Sequence, residues 1–457
     1  MLRLTHFALL ALVIGCGGAA PTPPAPPAIA ATQPAAETAP VLSREPTPNE
    51  LRAIAELAHG AEQIRGLRFL SPVPVLVKNR DAITAYVESQ IEEDAITRGR
   101  VLYVALGLLP ADLDVRAQLL QLLGEQILGY YDAKLKHLVV RDDIMHALGT
   151  HVGQSQELEE ARLVLVHELV HSLQDQHLKL SVNIERDRTS DAENAFRSLI
   201  EGDATLAMFG YILDANHVPL RQVTSDPEQV REIAGSDGQD ALRGGAQLAS
   251  APAILRVPLL SAYRDGLRFC AYAHGRGGWT AVDLAHDSPP VSTEHVLHPE
   301  TWSAGELPDD VEIGELPGFA EAHLEPIETT SLGELEMSLY FELGQPQATA
   351  QRAAAGWGGD QIRVYRDASV DTPTDTPLVW FTTWDDRKEA VEAEAAAQAA
   401  VHDLAADRKP LQKVHRVGRA VLILRHVPQP LHAGIVRRFT TWANRLPSVP
   451  PTARPGT

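Results

Sequence analysis

Residues 163–171 read Leu-Val-Leu-Val-His-Glu-Leu-Val-His, a stretch without a breaker whose only polar side chains are two imidazoles and a carboxylate. Helical patterning runs through it, from about Gln156 to Gln176. The apolar run ahead of His167 would bury this helix and hold it rigidly. Residues four apart share a helical face, so His167 and His171 can aim two ring nitrogens at one point, with Glu168 beside them. A surface helix carrying exposed His and Glu would spell the same letters. The chemistry that needs this spacing is metal-assisted hydrolysis: two imidazoles hold the ion and the adjacent Glu takes a proton from water.

A catalytic zinc site needs a third protein ligand and an open position. Two candidates compete. His177 lies six residues beyond His171, which matches the metzincin spacing, but Gln174 stands where that pattern has Gly. If the helix continues, 3.6 residues per turn rotates His177 away from the His167/His171 face. Glu201 lies on the next helical stretch, about 192–213, and its separation of thirty residues from His171 allows a loop and an antiparallel return. Gly202, Ala204 and Thr205 would let the two helices approach closely. Glu201 is the favoured third ligand, and Asp175, one turn beyond His171, is a candidate partner for a ligating imidazole.

The flanking chain sets the context. Residues 1–15, with Arg3 ahead of an apolar run from Phe7 to Ile14, read as a secretory signal too short to span a bilayer. Val13-Ile14-Gly15-Cys16 resembles the bacterial lipoprotein box, which implies lipidation at Cys16. Residues 16–48 are rich in Pro and Ala, unable to pack a core, and read as an extended tether. Forty Lys and Arg against sixty Asp and Glu give a net charge of −20, which argues against binding nucleic acid or an anionic membrane through broad positive charge. Two Cys exclude a disulfide scaffold, and lipidation of Cys16 leaves Cys270 without a partner.

The body reads as α+β. Helices are expected near 49–64, with Asn49 as cap, and near 81–96, 112–128 and 258–274. A hairpin is expected over 129–140, turning at 132–134. Residues 222–248 read as a surface excursion. Past residue 327 strands are expected at 335–340, 361–365, 378–382 and 420–424, with a helix over 387–405. Trp357 would anchor a glycine-rich turn that starts a strand. The expected organisation is a mainly helical domain over 49–326 with a small edge hairpin or sheet, then a smaller α+β domain over 327–457.

The segments His-Glu-Leu-Val-His-Ser-Leu-Gln-Asp-Gln-His (167–177) and Leu-Ile-Glu-Gly-Asp-Ala-Thr (199–205) resemble those of a group of bacterial gluzincin-like metallopeptidases. So do Gly129-Tyr130-Tyr131-Asp132 and the loop Ser292-Thr293-Glu294-His295-Val296-Leu297-His298-Pro299. Ser172 and Ser198 stand where Ala is expected, and His295 where Gln is. The resemblance covers roughly residues 50–330. It implies a zincin-like catalytic domain with zinc as cofactor, His167, His171 and Glu201 as ligands, and Glu168 as base. Strand 135–140 would be the edge that pairs with an extended substrate. His298, His295, Tyr263 and Tyr130 are candidate donors to the oxyanion, His298 being favoured. The expectation is a zinc metallopeptidase acting on peptide or protein substrates, tethered to the bacterial cell envelope by its lipid anchor, on the outer-membrane or periplasmic side. The rival is an inactive lipoprotein of the same fold that serves as a binding scaffold, and a third reading is a metal hydrolase acting on a non-peptide bond.

Overall fold

The computed structural model describes residues 43–124, 127–150, 156–226, 229–230, 248, 250–367, 375–401 and 411–447. The signal segment, Cys16 and nearly all of the tether lie outside the described residues, as do most of the 222–248 excursion and the end of the helix expected over 387–405. No described helix is long and apolar enough to cross a membrane.

The first half holds β1 (Ser43–Arg44), α1 (Pro48–Arg65), β2 (Val75–Lys78), α2 (Arg80–Gln90), α3 (Glu93–Leu106), α4 (Val115–Gly124), β3 (Gly129–Asp132), β4 (His137–Arg141), α5 (Asp142–Thr150), α6 (Gln156–Leu178), α7 (Leu180–Ile184), α8 (Ser190–Ala215) and α9 (Leu220–Thr224). There follow α10 (Ala253–Gly277), α11 (Trp279–Asp287), α12 (Thr293–Leu297) and α13 (Pro299–Ala304). The last third holds β5 (Leu324–Thr330), α14 (Gly333–Phe341), α15 (Gln347–Ala354), β6 (Trp357–Asp367), β7 (Leu378–Trp384), α16 (Arg387–Ala400), β8 (Lys413–Val417), β9 (Ala420–Arg425) and α17 (Gln429–Ala443). The α+β class is the observed one.

Several expectations are corrected. Thr47, not Asn49, caps α1: its hydroxyl accepts from the Glu50 amide, and the Glu50 carboxylate accepts from the Thr47 amide at 2.7 Å, a reciprocal capping box. The helix expected over 81–96 is two helices, broken between Gln90 and Glu93. The helix expected over 112–128 is shorter, Val115–Gly124. Residues 335–340, expected as a strand, belong to α14; every residue from Gly333 to Phe341 is buried, so no polar face marks the helical period.

The first sheet has strand order β1-β2-β4-β3, with β2 and β4 parallel and the other pairs antiparallel. The strand expected to be the edge, 135–140, is therefore mostly the interior strand β4, and the edge is β3. The second sheet, β5-β6-β7-β9-β8, is antiparallel throughout. One of its faces, carrying Trp357, Trp380 and Val421, shares a continuous core with Ile83, Leu102 and Leu119 of the N-terminal helices and with Met337 and Phe341. Its other face packs Phe381 and Leu422 against Ile435 and Phe439 of α17.

The middle of helix α6 is enclosed: Leu165, Val166, Leu169, Val170 and Leu173 are all fully buried, and so are its polar residues His167, Glu168, His171 and Gln174. Each of the apolar side chains contributes roughly 1.5–3 kcal/mol by leaving water. Helix α8 lies against α6 through Ala204 and Ala207. Gly202 faces the other way, toward α10. A Cβ on Gly202 would stand 2.2 Å from the Gly266 carbonyl, and one on Gly266 would stand 2.2 Å from the Ser198 oxygen. The two helices meet backbone to backbone there, which no larger residue permits.

Candidate metal centre

The packing of α6 against α8 brings His167, His171 and Glu201 together. The Nε2 atoms of His167 and His171 are 2.9 Å apart, and Glu201 Oε2 lies 3.0 Å from the first and 3.4 Å from the second. All three side chains are buried. The two rings meet edge to face with centroids 4.6 Å apart.

The partners of His171 fix which nitrogen carries its proton. Gln174 donates its Nε2 hydrogens to the Ile200 carbonyl and to Asp203, each at 3.0 Å, which leaves its Oε1 as an acceptor. That oxygen lies 2.9 Å from His171 Nδ1, so Nδ1 is a donor, and Nε2 is the nitrogen whose lone pair a metal would take. Two imidazole nitrogens and a carboxylate oxygen converge there, and a cation at their centre, displacing the proton that Glu201 otherwise keeps on His171, satisfies all three. Tetrahedral zinc with bonds of about 2.0–2.1 Å spaces its donors roughly 3.3–3.4 Å apart, close to the separations seen here. The residues fit such an ion.

Behind Gln174 the polar chain continues. Asp203 accepts from Arg65 at 2.7 and 3.1 Å and lies 2.9 Å from His286 Nε2. Arg65 also reaches Asp283 at 2.6 Å and packs 4.7 Å over Trp279. Sequence reasoning missed Gln174, Arg65 and His286. The partner expected for a ligating imidazole, Asp175, does something else: it accepts from the Tyr131 hydroxyl at 2.7 Å, from Lys136 at 2.6 Å and from the Ser181 amide at 3.0 Å. It fastens the β3–β4 hairpin to α6.

Glu168 is fully buried and accepts from the Tyr131 amide at 2.6 Å. Tyr131 and Gly129 occupy the positions of β3 whose backbone groups point away from β4, because the Arg141 amide bonds the Leu128 carbonyl and pairing alternates from there. The open edge of β3 thus faces Glu168. His177 is turned elsewhere, 2.7 Å from the Arg68 carbonyl.

Of the four expected oxyanion donors, Tyr263 is in ring contact with a member of the set, its centroid 6.0 Å from that of His167. Tyr130 stacks on Tyr86 at 5.0 Å, His295 bonds the Glu306 carbonyl at 2.8 Å, and His298 bonds Glu334 at 3.0 Å. The favoured His298 is therefore committed to α14.

Burial alone would push the Glu201 carboxyl up, but His171 and His167 outweigh it and bring it down to about 2. Burial disfavours charge on His171, and Glu201 outweighs that, raising it to about 9. Burial lowers His167.

A family described as a domain of unknown function (DUF8575) matches residues 323–427, which run from the start of β5 through β9. No curated protein and no solved structure matches the chain.

Proposed function

We propose that the chain is a zinc-dependent peptidase with a zincin-like domain, tethered to the cell envelope through lipidated Cys16. The observation that carries this reading is the convergence of His167 Nε2, His171 Nε2 and Glu201 Oε2 within 3.4 Å, beside Glu168. A zinc ion bound there would supply Lewis acidity, lowering the pKa of water and polarising a carbonyl. Glu168 takes the proton of the attacking water and passes it to the departing nitrogen. The Tyr131 amide aims the Glu168 carboxylate, and Gln174 holds His171 in its tautomer. Tyr263, against His167, is assigned the stabilisation of the oxyanion.

One observation favours a second reading. His167, Glu168 and His171 have no solvent exposure, which suits an inactive scaffold that keeps a metal for stability.

Metal content and zinc affinity of the purified chain test the first layer, beside Glu201→Ala and His177→Ala. One tight zinc, lost with Glu201→Ala and kept with His177→Ala, supports the centre; an unloaded parent sinks it. A peptide-library assay with Glu168→Gln then separates the readings. Cleavage abolished by that change supports the peptidase, whereas a zinc-loaded chain that cleaves nothing supports the scaffold.

A further inference from the structure

We propose that the cleft formed by α9, α10 and the corner between α12 and α13 is a second binding site, for a small ligand bearing carboxylate or phosphate groups. The cavity is about 560 Å³ and includes Thr224, Arg268, Tyr272, Arg276, His298 and Glu300 in its lining. That volume is within the range of small-molecule sites.

Its walls are held in place from behind. A Cβ on Gly275 would stand 2.2 Å from the Thr224 carbonyl, so α9 rests directly on the α10 backbone. The Thr224 hydroxyl is 2.8 Å from His274 Nδ1, and the His274 ring meets Trp279 edge to face at 4.9 Å. Opposite, His298 is fixed by Glu334 at 3.0 Å, a bond that holds the imidazole above its ordinary pKa. A space bounded by two such walls is built rather than left over.

The polar groups facing it are mainly donors. The Arg276 guanidinium lies 3.3 Å over the Tyr272 ring and bonds the Tyr272 carbonyl at 3.3 Å; among the described residues no carboxylate pairs with it. Stacking of this kind pre-orients a guanidinium for oxyanions. Arg268 contacts Asp265 at 3.3 Å, but Asp265 also accepts from Arg264 and Ser261 at 2.7 Å, so Arg268 keeps most of its N–H groups for the cleft. Among the described residues Glu300 is the one carboxylate in the lining. A chain of net charge −20 repels anions at a distance, so donors gathered in a cavity indicate local recognition.

This site does not depend on the metal centre. Tyr263, which touches His167, lies on the same helix five residues before Arg268 and thirteen before Arg276, roughly 8–20 Å away along the axis at 1.5 Å per residue.

The test is calorimetric titration of the full chain with citrate and, separately, with inorganic phosphate at low ionic strength. Thermal melts accompany it, with sodium chloride at matched ionic strength as control. Saturable binding is expected, raising the melting midpoint by about 2 °C or more at saturation. The Arg268→Ala/Arg276→Ala double variant should weaken it at least about tenfold. The citrate and phosphate arms show which anion class is preferred. Glu300→Gln removes the carboxylate that opposes anions among the described lining residues and should tighten the preferred probe; this surface change serves even if the arginine variant misfolds. Absence of binding by both probes, binding that the double variant leaves intact, or no gain from Glu300→Gln overturns the proposal.

Discussion

Asp191 and Glu201 sit ten residues apart on one helix, both almost wholly buried, and are driven in opposite directions. Two imidazoles bring Glu201 down to about 2. Asp191 is pushed up to about 8, first by burial, with Asp360 and Glu336 adding to it. Asp191 has donors, the amide of Thr293 at 2.7 Å and its hydroxyl at 2.5 Å, yet these only moderate the rise. Neighbouring carboxyls at this junction behave alike: burial takes Glu336 to about 7 and Glu294 to about 9. The contrast teaches that inside this protein neutral hydrogen bonds are not enough to keep a carboxylate ionised; a nearby cation or a cationic side chain is. One end of α8 is built to hold charge, the other to hold protons.

The largest effect should come from breaking a charged pair at the first end. Asp203 and Arg65 meet with no exposure of either side chain. Asp203→Ala leaves a buried guanidinium, and breaking such a pair costs about 3–5 kcal/mol. Denaturant unfolding of the variant should show a loss of that size; a loss under about 1 kcal/mol would mean that Asp283 alone suffices for Arg65.

Next, Glu201→Gln keeps the shape of the donor set and removes its negative charge. Zinc affinity, measured by competition with a chromophoric chelator, should fall by more than the roughly 10–100-fold typical of an outer-shell change. Gln174→Leu is that outer-shell change. It removes the acceptor at His171 Nδ1, and its affinity loss should lie within that 10–100-fold range. Should Gln174→Leu exceed Glu201→Gln, the assignment of ligand and support would be reversed.

These contrasts bear on how much the sequence made legible. The motif helix and the return helix followed from periodicity, and the turning of His177 away from the His167/His171 face followed from the rotation of a continuous helix. Strands β6, β7 and β9 followed from short apolar runs bounded by turn residues. Residues 335–340 did not, because the same kind of run can be a buried helix, and here all of α14 is buried. Strand 135–140 lies in the expected hairpin but inside the sheet, since edge status depends on β2, whose residues pair with β4 partners 63 positions later, and nothing local marks that pairing. The support of the donor set was invisible for a related reason: Arg65 and Asp203 are 138 residues apart, and nothing local marks them as a pair. Gln174 carried one signal, its place where a metzincin has Gly, but only the meeting of α6 with Ile200 and Asp203 shows what that amide does.

The smallest expected effect tests the proton-holding end. A carboxyl whose pKa rises on folding keeps a proton that the unfolded chain has already released. Its stabilisation is therefore complete below the ordinary carboxylate range near 4 and is lost progressively until pH passes the folded value. For Glu336, Asp191 and Glu294 those values are about 7, 8 and 9. The melting midpoint should accordingly decline from pH 5 to pH 9. Asp191→Asn substitutes a neutral side chain that still offers Oδ1 to the Thr293 amide and hydroxyl. At pH 5 it should change stability by roughly 1 kcal/mol or less, and because Asn takes up no proton on folding it should flatten the decline between pH 5 and 8, so that the variant gains on the parent as pH rises. An unchanged slope would place Asp191 in the charged state throughout, and the asymmetry of α8 would then reduce to Glu336 and its neighbours.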